Sequence, residues 1–407
     1  MACDGLGCVW EQHAGFSPGS PYAAMVNVGG GIILSAYYSP GKVLQSSDYG
    51  RSWVSSPQLG TEADIQSLCY LGGGICLAGG GSAGGLYRSV DYGITWEFVR
   101  RFETAIEVGA MVSLGGGVCL ASSYQPGKVW RSTDWGLTWS IVKTFGTYDN
   151  IRCMAYLGAN VVVLCTRSSG QIWRTLDGGL SWTLIHTLAG MTTVNQMIHI
   201  GAGVCLMGTD FNSNIWRSAD FGETWVKLGP LAGDRSISGL SYWNNGICLA
   251  SVRALSRIYK STDYGLTWPQ YYVFPGSPTK YPIETLYIDD YYGGLCQVIL
   301  SGGGNIFITG SFAGFSGTPL TGDTPLSVQF LDESTNGADS WLWDFGDGFF
   351  SIEKNPLHVY ETGGTFTVAL RATYAGVSRL CVKPDYITAV TSTIAFNPLW
   401  SIQIGPV

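Results

Sequence analysis

Residues 111–146 read MVSLGGGVCLASSYQPGKVWRSTDWGLTWSIVKTFG. Apolar and polar positions alternate along four short runs, with Gly, Pro and Asp between them. A period of two marks a strand with one buried face, whereas a helix repeats its apolar positions every three to four residues. No stretch of the chain sustains the helical period, so the pattern predicts an all-β fold. The run RSTDWGLTW at 131–139 returns as SSDYGRSW, SVDYGITW, TLDGGLSW, SADFGETW and STDYGLTW. The aspartates of these runs are Asp48, Asp91, Asp134, Asp177, Asp220 and Asp263, always 43 residues apart. A fixed period of this size means one supersecondary unit repeated, each copy burying its face against the next.

Four strands in 43 residues is the content of a β-propeller blade. In every copy Ser or Thr stands two before the Asp, Gly two after it, and Trp closes the run (Trp53, Trp96, Trp139, Trp182, Trp225, Trp268). These runs resemble the Asp-box, or BNR, repeat of sialidases and other propeller proteins. Their chemistry suits a hairpin between the third and fourth strands. The short acid can accept N–H bonds inside its own turn, and Gly supplies positive φ. Trp offers a flat surface between layers. Six equal ligand sites would need the same chemistry at six separate rims, so the six aspartates are read as scaffold.

Six boxes do not limit the ring to six blades. A step of 43 back from Trp53 lands on Trp10, and from Gly50 on Gly7, so GCVWEQHAG reads as a fourth strand without its Asp. IETLYIDD, GGLCQVILS and GNIFITGS read as three strands with no box after them. Together the two segments predict a seventh blade, closing a ring over residues 1–310 and removing its free sheet edges. A six-bladed ring with extra strands is the alternative.

From about 311 the period stops. WDFGDG (343–348), NPLHVY and GTFTVAL resemble the PKD family over residues 311–390, which implies a C-terminal Ig-like β-sandwich acting as a spacer or adhesion module. Trp343 reads as its core anchor. Asp344 and Asp347, beside Gly346 and Gly348, read as a tight turn, since a metal would need more oxygen ligands than the turn offers. The segment 391–407 is apolar and carries no charged side chain. It is either a last strand on the sandwich or a docking strand for self-assembly or a lattice partner.

Composition narrows the partners. Charged residues are 13% of the chain, against roughly 25% in a typical soluble domain. A surface partly covered in an assembly accounts for this, as does compact repeat packing. The net charge of −7 and the lack of a Lys/Arg cluster argue against nucleic acid. No apolar run is long enough to span a membrane, and the first ten residues have no signal-peptide pattern. The location expected is extracellular or on a particle such as a virion, reached without a visible signal. Among the 11 cysteines, Cys76, Cys119, Cys205 and Cys248 share one repeat position with Ile33 and Val162. That position reads as a small buried hydrophobe. Cys69 with Cys76, across a hairpin, and Cys3 with Cys8 stay open as disulfides.

Positions that vary within one loop column are candidates for binding. If the first hairpin and the box share one face, the loops between second and third strands share the other. That column is Tyr38, Gly81, Tyr124, Arg167, Asp210 and Arg253. The connections between blades add Glu62, Asp64, Glu107, Tyr148, Asp149, Arg152, Asp234 and Arg235. Such a ring of aromatics and mixed charges suits a glycan or a surface protein. The sialidase resemblance implies an arginine triad, but its Phe/Tyr-Arg-Ile-Pro motif is missing. The regular Arg88, Arg131, Arg174, Arg217 and Lys260 read as frame. Asp149 with Asp210 or Asp234 could form the carboxylate pair of another glycosidase, roughly 5–9.5 Å apart. His13, His186, His199 and His358 form no triad or metal pattern. The reading is a non-catalytic binding or adhesion protein without cofactor or metal. A structural or decoration protein of a virion, and a sialidase-like glycoside hydrolase, are the alternatives.

Overall fold

A computed structural model describes residues 11–15, 22–37, 40–47, 50, 52–102, 107–146, 149–167, 169–188, 193–210, 213–231, 236–242, 246–252, 257–273, 283–289, 296–301, 305–309, 313–334, 337–374 and 377–391. The described residues are all strand, turn and irregular chain, with no helix among them. They fall into two compact units that divide at residue 310.

The larger unit repeats one four-stranded antiparallel sheet. In its second copy the strands are Ile65–Gly72, Ile75–Gly80, Gly85–Ser89 and Glu97–Arg101, each paired with the next. Sheets with the same order begin at Tyr22, Val108, Ile151, Val194 and Ile237. A further four-stranded sheet joins Ile283–Asp289, Cys296–Ser301 and Asn305–Thr309 to Glu11–Gly15, which lies antiparallel to Asn305–Thr309 with Glu11 opposite Ile308. The first strand of each sheet lies against the first strand of the next, and Tyr22–Gly29 also lies against Ile283–Asp289.

Burial follows from this stacking. The core is a series of layers between neighbouring sheets. One layer joins Leu77, Leu86 and Phe102 of the second sheet to Val108, Trp130 and Trp139 of the third. The layer before it joins Leu34, Val43 and Leu59 to Ile65, Cys76 and Tyr87. Leu34, Leu77, Leu120 and Leu206 are fully buried, and each such side chain contributes about 1.5–3 kcal/mol relative to exposure.

The cysteine column behaves as a buried hydrophobe, since Cys76, Cys119, Cys205, Cys248, Ile33 and Val162 have no exposed surface. The Cys69–Cys76 bridge does not form, because both thiols are free. The register gives the reason. Cys69 lies opposite Leu77, and Tyr70 opposite Cys76, so the two cysteines point to opposite faces of the sheet. Cys69 belongs to the layer shared with the third sheet and Cys76 to the one shared with the first. Cys3 and Cys8 lie outside the described residues.

The second unit is a sandwich. Phe315–Thr318, Leu326–Asp332 and Leu357–Tyr360 form one sheet. The other runs Thr321–Asp323, Val377–Val390, Gly364–Tyr374, Ser340–Asp344 and Phe350–Ser351. Between them Trp343 is fully buried against Phe315 and Phe330, with its indole N–H donated to Glu353 O at 2.8 Å. The two acids of WDFGDG serve the turn. Asp344 accepts Gly346 N at 3.0 Å, while Asp347 accepts Phe349 N at 3.2 Å and meets His358 Nε2 at 2.7 Å. Of the segment 391–407, only Thr391 is described.

Candidate functional site

The boxes define one face of the repeat unit. Each lies between the third and fourth strands, and in the five boxes whose Asp is described the Ser or Thr hydroxyl donates to the Asp carboxylate and accepts the N–H of the box Gly. In the third sheet these are Ser132, Asp134 and Gly136, at 2.7 and 3.0 Å. Asp134 also accepts Thr138 N at 2.8 Å and the Thr138 hydroxyl. Partial burial would raise this carboxyl, but the hydrogen bonds outweigh it and hold it below the usual range, as at Asp91 and Asp220. Asp177 and Asp263 are held at about 2 by the same balance. Asp48 lies outside the described residues. Trp135 N donates to Gly117 O at 3.0 Å, tying the box to the first hairpin of its sheet. The same bond recurs from Tyr92 to Gly74, Phe221 to Gly203 and Tyr264 to Gly246.

The other loops form the opposite end. Tyr124 N donates to Glu107 O, Arg167 N to Asn150 O and Asp210 N to Thr193 O, at 2.7–3.0 Å. These bonds place the variable column beside the connections between sheets. Here the structure brings four of the expected residues together. Arg167 Nη1 donates to the Tyr124 hydroxyl. Arg152 Cζ lies 5.2 Å, and Arg167 Cζ 5.8 Å, from the centre of the Tyr124 ring. Arg152 Nη2 stands 3.6 Å from Glu107 Oε1. Burial raises the Glu107 carboxyl, Arg152 offsets part of the shift, and the nearby Asp64 adds to it. Asp64 is itself raised, by burial first, against the hydrogen bond from Gln66.

Other expectations fare differently. Asp149 is turned onto its own neighbourhood, accepting the Ser169 hydroxyl at 2.9 Å and Gly146 N at 3.3 Å. Glu62 is not a surface ligand group. It is fully buried and accepts Gly85 N at 3.1 Å, Ala83 N at 3.0 Å and both Ser82 donors, so it holds the loop between second and third strands. Tyr38, Tyr148, Asp234, Arg235 and Arg253 lie outside the described residues.

The first strands add a feature the sequence reading did not use. Met25, Leu68, Met111, Met154 and Met197 recur every 43 residues and line a cavity of about 240 Å³. Gln66, Arg152, Asn195 and Ser238 line it too, again at that interval where they follow one another. Arg152 therefore belongs both to the cavity and to the Tyr124 cluster. The signal was present as a second 43-residue column, hidden because methionine in a strand reads only as core.

Comparison with known proteins agrees with the fold. The PKD domain model matches residues 314–389, and the BNR-Asp box repeat model matches residues 215–228. Collagenase ColQ1 of Bacillus cereus strain Q1 is 45% identical over 56 residues, which is 13% of this chain and 6% of the collagenase. The chain thus spans a small fraction of that curated relative. Among solved structures, YCF48 bound to D1 peptide is 17% identical, with a TM-score of 0.58 over 74% of this chain and 94% of that one. The GH74 enzyme of Niastella koreensis is 13% identical, with a TM-score of 0.61 over 94% of this chain and 69% of that one. At such identities the likeness is one of fold. The repeated sheets resemble propeller blades, and the C-terminal unit is PKD-like.

Proposed function

We propose that this is a non-catalytic binding protein. Its sheets close as a seven-bladed ring, and its loop end recognises a glycan or a protein surface outside the cell. The PKD-like unit serves as a spacer. The Tyr124–Arg152–Arg167 cluster beside the cavity supports this reading. It combines an aromatic face with two guanidinium groups on rigid strand ends, and its carboxylates are engaged within the protein. A flat ring takes the apolar face of a sugar or side chain, while planar guanidinium forks take carboxylate, amide or hydroxyl oxygens. The test is a glycan and peptide array with the full chain, repeated with Tyr124→Ala and Arg152→Ala. Binding that both substitutions abolish supports the reading, and binding indifferent to both contradicts it.

The box face favours a second reading, that of a structural component of a larger particle. Tyr92, Ile94, Trp135, Leu137, Leu180, Tyr264 and Leu266 are all exposed there, which is an apolar ring of the kind that assembly covers. Electron microscopy of the protein in its native setting tests this, since an ordered lattice with the box face covered would favour it over the binding role.

A further inference from the structure

The gap between the first and second sheets holds a pocket of about 550 Å³ at its outer rim. In the next three gaps a basic side chain of the chain itself stands against the aromatic of the third strand. Positions 57, 100, 143 and 186 are one column of the repeat. Arg100 Cζ sits 5.1 Å from the Trp130 ring and 5.5 Å from Phe102, and its Nη1 donates to Trp139 O at 3.2 Å. Lys143 Nζ sits 4.8 Å from Trp173 and 5.6 Å from Phe145. The His186 ring lies 6.0 Å from Trp216. The first gap has Pro57 in that position.

Proline has no N–H to continue a ladder. The outer strand of the first sheet accordingly ends at Val54–Ser55, where its counterparts Glu97–Arg101 and Ser140–Thr144 run five residues. Tyr87, the counterpart of Trp130, and Trp96, the counterpart of Trp139, face the vacated space together with Phe98. Tyr87 is 5% exposed. Gly60 keeps the floor open, since a Cβ there would collide with that hydroxyl. Behind Tyr87 lies the buried Glu62 carboxylate, near enough to act on the phenol electrostatically.

We propose that this pocket is a seat for a basic side chain, arginine or lysine, presented by a partner polypeptide. Three neighbouring copies of the same site bear on what fits it, because two hold a cation, Arg100 and Lys143, against the same aromatic column and the third holds the imidazole of His186 there. The seat offers ring faces to attract a cation and the Trp96 carbonyl in the place where Trp139 O accepts Arg100. Arg101 lines the rim and is exposed. Its charge opposes a cationic guest, so it separates this proposal from an anionic or neutral ligand. The seat lies apart from the Tyr124 cluster and does not depend on the function proposed for it.

The test is ligand-observed NMR titration of the full chain with N-acetyl-arginine amide, and with its neutral near-isostere N-acetyl-citrulline amide. Saturable binding of the arginine compound is expected, with the citrulline compound weaker by about fivefold or more. Pro57→Arg should abolish binding by filling the seat from within, and Arg101→Ala should tighten it. If Pro57→Arg fails to fold, Phe98→Ala removes an exposed wall and should weaken binding with the melting curve unchanged. Equal binding of both compounds would overturn the proposal. So would binding unaffected by the Pro57 and Phe98 substitutions, weakening by Arg101→Ala, or no saturable binding at all.

Discussion

Arg131 of the third sheet donates its Nε to the carbonyl of Gly178 in the fourth, at 3.0 Å. Arg88 reaches Trp135 O and Arg217 reaches Tyr264 O in the same way, at 2.9 and 3.0 Å. These arginines are struts from one sheet to the box turn of the next. Arg174 departs from the pattern, as among the described residues its Nε has no hydrogen-bond partner and its Nη1 meets the exposed Glu223. Arg131→Ala should therefore cost about 1.5–3 kcal/mol as a charged hydrogen bond is lost. The polar contact removed in Arg174→Ala is worth below about 1 kcal/mol. Denaturant unfolding followed by tryptophan fluorescence distinguishes the two.

The box glycine has two reasons to be glycine. Gly136 has φ +81°, and a Cβ there would come within 2.8 Å of Leu77 Cδ2 in the preceding sheet. Gly115 has φ +86° with nothing within 4 Å. Gly115→Ala should cost about 1–2 kcal/mol for its backbone conformation alone. Gly136→Ala should add about 1–3 kcal/mol of overpacking. Equal losses in unfolding experiments would mean that the boxes do not pack between sheets.

The box carboxyls set an acid limit. A carboxyl whose folded pKa lies below its unfolded value of about 3.9 stabilises the fold above that value. Its contribution fades as pH falls through the folded value. Asp177 and Asp263 sit at about 2, and Asp91, Asp134 and Asp220 are also lowered. Unfolding free energy should thus fall between about pH 4 and pH 2, and Asp263→Asn should flatten that dependence. A slope unchanged in the variant would exclude the box as its source.

The buried cysteines should stay silent in the native protein. Burial pushes Cys76, Cys119, Cys153 and Cys248 up to about 12, and thiolate is the reactive form. A thiol reagent at neutral pH should label the seven buried cysteines among the described residues only after denaturation, with no reductant needed. A requirement for reductant at Cys69 or Cys76 would contradict the free thiols.

The frame was legible because its signal repeats. The 43-residue interval, the box chemistry and the cysteine column each recur in several copies, and the face assignment follows once the box is tied to the first hairpin. Single deviations were harder to read. Glu62 looked like a solvated connection residue, since nothing in its neighbours in sequence announces the three backbone N–H groups that surround it. Cys69 and Cys76 look adjacent across a hairpin until the register places them on opposite faces. The pocket at Pro57 is visible only against Arg100, Lys143 and His186, the next three positions of its column, and a column must be aligned before such a contrast can be seen.

The central claim is that the ring closes through both ends of its sheet series. A density map of the full chain at side-chain resolution tests it most directly. The expected result is seven four-stranded sheets in a circle, with residues 11–15 antiparallel to 305–309. Six sheets, or 11–15 paired elsewhere, would contradict it.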